Sequence, residues 1–157
     1  MQKQTRWFAS LAIVAMATSA MAEEAAPDPH LAKARTAIAG LGEGLKAELI
    51  GALKSGGPVA AIAVCKTAAP ALAEVSAKAS GLSVGRTALR VRNPENAPDA
   101  FEKKVLEDFV AKIAAGADPS KLEHAETVTE NGSRMFRYMK AIPTAAEPCL
   151  VCHGDAL

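Results

Sequence analysis

From Leu31 onward the apolar positions return at helical spacing. Leu31, Ile38, Leu41, Leu45, Leu49 and Leu53 are separated by seven, three or four residues, which lines one helical face. Asp28-Pro29 offers an N-cap followed by proline at the first helical position. Gly40, Gly42 and Gly44 weaken the middle of this helix and predict a kink or break there, and Ser55-Gly56-Gly57 ends it. Pro58 opens a second helix with Ala61, Cys65, Ala68 and Leu72 on one face. Pro70 lacks a backbone donor, so a bend or restart is expected at that point, and Gly81 closes the run.

The period then changes. Between Leu82 and Arg92, Thr87, Leu89 and Val91 alternate with Arg86, Ala88, Arg90 and Arg92, which predicts a strand with one apolar and one basic face. Asn93 to Asp99 is turn-rich. Phe101, Val105, Phe109 and Ile113, four residues apart, predict a third helix ending at Gly116. Leu122 to Ile142 reads as a β-hairpin around Asn131-Gly132, with Glu126 opposite Arg137, Thr127 opposite Phe136 and Val128 opposite Met135. The order helix, helix, strand, helix, hairpin makes the class α+β, and no internal repeat is present.

Residues 1–22 fit none of these patterns. A basic start (Lys3, Arg6), an apolar stretch from Trp7 to Ala17 and Ala20-Met21-Ala22 are the parts of a cleavable secretory signal peptide. The apolar stretch is too short to span a bilayer, and no other stretch is expected to span one. Cleavage after Ala22 would leave residues 23–157 as a single periplasmic domain, with no membrane span. Losing Lys3 and Arg6 moves the formal charge from +1 to −1, so nucleic acid is disfavoured as a partner by compartment and charge alike. The composition is rich in alanine and poor in aromatics, a combination that fills a core sparsely. A buried macrocycle would supply much of the missing apolar volume.

Cys149-Leu-Val-Cys152-His153 supplies that chemistry. Two thiols spaced by two residues can form thioethers to the vinyl groups of one porphyrin, and the following histidine then becomes the proximal iron ligand. Zinc half-sites and redox dithiols share C-x-x-C. Here no second C-x-x-C completes a zinc site, and the motif does not sit between a strand and a helix as a thioredoxin-type pair does. A surface disulfide beside a stray histidine is the plainer alternative. The motif therefore implies one covalently attached haem c.

The opposite side of the iron is the functional question, because a strong sixth ligand suits electron transfer or redox sensing and an open side suits gas binding or catalysis. Cys65, Met135, Met139, His30 and His124 are the candidates. Packing on a sheet face accounts for both methionines, and a solvated position accounts for both histidines. Cys65 is the odd cysteine, with a buried small residue and an iron-bound thiolate both open to it. Among the arginines, Arg86, Arg90 and Arg92 could meet haem propionates with charge-assisted hydrogen bonds. A solvated strand face is the alternative for at least one of them.

Three segments together resemble a known family: Ala61-Ile-Ala-Val-Cys65-Lys-Thr-Ala-Ala-Pro70, Val84-Gly-Arg86-Thr87 through Arg92-Asn-Pro94-Glu-Asn96-Ala-Pro98-Asp99, and Tyr138-Met-Lys-Ala-Ile-Pro143 with the Cys149–His153 motif. The chain resembles c-type haem proteins with a PAS-like sensor fold, first catalogued as a domain of unknown function. The resemblance implies a PAS-like antiparallel sheet with N-terminal helices and haem c at the C-terminus. It implies His153 and Cys65 as the axial pair and Arg86 as the best arginine for a propionate. Ala88 and Ala141 depart from the usual serine and proline.

These features predict a redox or gas sensor, or a low-potential electron-transfer module, rather than an enzyme. A thiolate that is displaced on reduction would open a place for a small diatomic ligand, and a separate redox or signalling protein would be the partner. The alternative is a class II cytochrome, a four-helix bundle with an open gas-binding haem. A small peroxidase fits least, because no distal His/Arg pair stands out.

Overall fold

The computed structural model describes residues 28–144 and 149–153; the predicted signal peptide lies outside them. The described elements are α1 (Pro29–Ser80), α2 (Ala100–Ala114), β1 (Glu123–Glu130), β2 (Ser133–Lys140) and α3 (Cys149–His153), with short 3₁₀ turns at Pro94–Asn96 and Pro119–Lys121. The α+β class stands. The β1–β2 hairpin also sets the chain apart from the all-helical bundle of a class II cytochrome.

Element α1 holds both predicted N-terminal helices, joined by a kink at Gly57. Its backbone angles there, φ 67° and ψ −161°, lie in a region that essentially only glycine adopts. The chain folds back at this point. Ser76 Oγ donates to the Ala37 carbonyl at 3.1 Å, and Leu72 Cδ2 packs 3.6 Å from where a side chain on Gly44 would begin. Residues 37 and 44 thus meet residues 76 and 72 in antiparallel order. The expected break around Gly40–Gly44 does not occur, nor does a break at Pro70: within α1 only Gly57 leaves helical geometry. Of the three glycines only Gly44 is approached by the second half, through Leu72; Gly40 and Gly42 have open space beside them and still stay helical.

The predicted leucine stripe is buried or half-buried throughout, with Ala34, Ala37 and Leu41 at its centre. Asp28 caps the first turn, its carboxylate accepting from the His30 backbone at 2.8 Å. Gly81 closes the second half in left-handed conformation. The expectation that α1 lacks membrane-spanning character needs correction. By length and composition it could cross a bilayer, with a window of mean hydropathy 1.4 that is 11% buried. Alanine is the reason: it counts as apolar while adding little bulk, so a stretch without long aliphatic runs still scores as apolar.

The predicted strand over Leu82–Arg92 is absent; the segment is irregular. Alternation reports which side chains could share a face but does not provide a neighbouring strand. In the described sheet β1 pairs only with β2. The hairpin has the predicted register, with Glu126 opposite Arg137, Thr127 opposite Phe136 and Val128 opposite Met135. Asn131 (φ 50°) and Gly132 (φ 79°) both take the positive φ of a type I′ turn.

Two polar contacts join the helices to the hairpin. Arg35 of α1 grips both carboxylate oxygens of Glu123, which also accepts from Tyr138 Oη at 2.8 Å. At the start of α2, Asp99 and Glu102 form a reciprocal capping box, and Asp99 also meets Arg137 of β2 at 2.6 Å. Val105 and Phe109 of α2 are buried, whereas Ile113, predicted on the same face, is 42% exposed. The core among the described residues is thin and largely alanine, and no large side chain in it is wholly enclosed.

Candidate functional site

Within α3, Cys149 and Cys152 are three residues apart and Cys149 and His153 four, so all three lie on neighbouring positions of one helical side. Both cysteines are free and half-buried.

Arg92 reaches this short helix from the irregular segment, its Nη2 donating to the Cys152 carbonyl at 2.9 Å. The last carbonyls of a helix have no partner within it, so a guanidinium there satisfies an otherwise orphaned acceptor. Partial burial lowers the His153 pKa from its ordinary value, and the charges of Arg92 and then Arg86 lower it further. The neutral imidazole, whose ring nitrogen can bind a metal, is favoured as a result.

Leu89 is 44% exposed and Val91 36%, and both lie in the segment that carries the arginines. The two cysteines and the neutral histidine, with Arg92 on the Cys152 carbonyl, make a set that fits haem c. Arg86 and Arg92 are the arginines whose charge reaches His153. Arg90 is exposed in the same segment.

Cys65 is a free thiol, and it is exposed, contrary to the reading of a small buried side chain. One turn to either side, Ala61 and Ala69 are buried at 1% and 4% exposure. The helical stripe is therefore covered above and below the thiol and open at it. No contact among the described residues joins Cys65 to His153.

Both histidines have partners elsewhere, whereas Met135 is 46% exposed, so sheet packing does not account for it as expected. The His30 ring lies 5.7 Å from Phe136, and the His124 ring lies 5.7 Å from Phe101 with Nε2 3.1 Å from Glu126. Met135 stands opposite Val128 and Met139 opposite His124 on the hairpin.

Residues 3–156 match the Tll0287-like family. The chain belongs to that family. No curated protein and no solved structure matches it. Tll0287-like proteins are periplasmic c-type haem proteins with a PAS-like fold, so the resemblance drawn from the three sequence segments holds at the level of family. The match covers the arginine segment and the C-x-x-C-H motif alike.

Sequence reasoning missed two features of the site and its support. The contact from Arg92 to the Cys152 carbonyl left no trace in residue types, because its acceptor is backbone. The Arg35–Glu123–Tyr138 cluster spans elements far apart in sequence. Its one sequence signal is that Glu123 and Tyr138 come close across the hairpin once the register is set.

Proposed function

We propose that this Tll0287-like chain is a periplasmic redox or gas sensor, or a low-potential electron-transfer module, carrying one haem c with His153 and Cys65 as axial ligands. Export through the leader at residues 1–22 accompanies this reading. When bound, the haem supplies a one-electron couple and an iron that can take a small diatomic ligand.

The chain's own residues have distinct tasks. Cys149 and Cys152 hold the group covalently through their sulfurs. His153, kept neutral, presents its ring nitrogen. Arg86 offers a charged donor to a propionate, and Arg90 is the second candidate for that contact. Cys65, exposed between two buried alanines, offers its sulfur as the proposed second ligand. An anionic sulfur favours the oxidised state and so lowers the potential. The proposed role is transfer or sensing, with an unidentified redox or signalling protein as partner and no catalytic residue.

The observation that carries this reading is the placement of Cys149, Cys152 and His153 on one helical side, with Arg92 on the Cys152 carbonyl, in a chain of this family. The deciding experiment is low-temperature electron paramagnetic resonance of the ferric protein beside its Cys65→Ala variant. The expected wild-type signal is low-spin with the narrow g-spread of thiolate ligation, and the variant should lose it. A high-spin wild-type signal, or an unchanged variant, would remove Cys65 from the iron.

A further inference from the structure

The geometry points to Arg92 as a positioning residue that fixes the angle at which His153 is presented, by holding the Cys152 carbonyl rather than a propionate. This inference rests on the haem reading above.

Helix α3 is five residues long, too short to be stable by its own hydrogen bonds. Its orientation has to be set from outside. The Arg92 bond falls on the peptide between Cys152 and His153, which carries both a thioether cysteine and the iron ligand. A tilt of that peptide would move sulfur and imidazole together. Binding one guanidinium donor to it restricts the tilt.

Arg92 is itself well anchored. Thr87 Oγ1 donates to the Asn96 carbonyl at 3.0 Å and closes a loop around residues 87–96. Inside that loop, the Asn93 side chain accepts from the Glu95 backbone at 3.1 Å. Three residues beyond Asn96, the Asp99–Glu102 capping box fixes the exit into α2. Arg92 therefore projects from a loop tied at both ends and connected to the packed body of the molecule. Arg86 lies just outside the closure, next to Thr87, and remains the arginine for a propionate. The two arginines divide the work, one holding protein and the other cofactor.

The test compares the holoprotein with R92A, R92K and R86A, reading covalent haem content, midpoint potential, the ferric paramagnetic resonance signal and amide exchange at residues 151–153. A merely stabilising contact would not alter the iron signal. In R92A the low-spin features should broaden as the histidine samples more orientations, and exchange should speed up about tenfold on loss of a charged hydrogen bond. R92K keeps a donor with shorter reach and should be intermediate. R86A should shift the potential and leave the lines sharp.

An R92A signal as sharp as wild type would overturn the inference. So would equal broadening in R86A, since the cause would then be charge and not the bond. If R92A takes up no haem, R92K decides: intermediate broadening supports the assignment and wild-type sharpness refutes it. Absence of covalent haem from the wild type would instead refute the reading on which the inference rests.

Discussion

Arg137 meets three carboxylates at once: Asp99 Oδ2 at 2.6 Å, Glu130 Oε1 at 3.1 Å and Glu102 Oε1 at 3.5 Å. Its guanidinium also lies 4.4 Å from the centre of the Phe101 ring. Its side chain is only 15% exposed, so water screens these pairs less than it would at an open surface. Burial works against the Asp99 charge, yet the Glu102 backbone donor and Arg137 outweigh it and hold that carboxyl below its ordinary range. Arg137→Ala would leave the cap of α2 and the end of the hairpin without their shared cation, at a cost of about 1–3 kcal/mol in a urea titration. A loss no larger than that of a typical exposed pair would show the network to be redundant. The sequence reading placed Arg137 opposite Glu126, and the register agrees, but the guanidinium reaches Asp99, Glu102 and Glu130. Glu126 turns to His124 instead. Register determines which backbones face each other, whereas a long side chain selects among every charge within its reach.

At the scale of elements, hydrophobic period and turn chemistry were legible where structure is local. The α1 stripe, the closing glycine, α2 and the hairpin register all follow from spacing within about twenty residues. The misreadings concern contacts between distant elements. Pro70 and the glycines at 40–44 were expected to break a helix that its antiparallel return holds together, and the alternation over 82–92 never finds a partner strand. The return itself depends on Gly57. Gly57→Ala would place a Cβ in a glycine-only conformation, costing about 1–3 kcal/mol. Thermal unfolding followed by circular dichroism should show a lowered midpoint. Ala substitution at exposed Gly42, which stays helical, should raise or preserve it. Equal effects at the two positions would mean that the kink tolerates a side chain.

Across the whole molecule, α1 and the hairpin are joined through Glu123. The Arg35 and Tyr138 hydrogen bonds to its charged form lower its pKa from 4.5 to about 2. Burial, and then the Glu123 carboxylate, push Tyr138 up to about 12. A depressed carboxyl pKa contributes stability that is fully present above pH 4.5 and is lost as pH falls through about 2. Glu123→Gln should therefore unfold at lower urea than wild type at neutral pH, with the difference shrinking between pH 4.5 and 2. A difference that stays constant with pH would assign the effect to packing. At this scale the family was readable, because the Cys149–His153 spacing and the Arg86–Asp99 segment are specific in sequence. The latch was not, because each partner taken alone is an ordinary surface charge.

The position of α3 after every element that supports it has a consequence for how the protein is made. Synthesis delivers the helical hairpin, the arginine loop, α2 and the β-hairpin before Cys149, and their mostly local contacts favour early formation. Arg92 is then already in place when the Cys152 peptide arrives. Under the proposed attachment, chain order becomes assembly order. The cofactor closes a finished receptor and does not nucleate one, and the interval during which both thiols must stay reduced is confined to the last step of maturation.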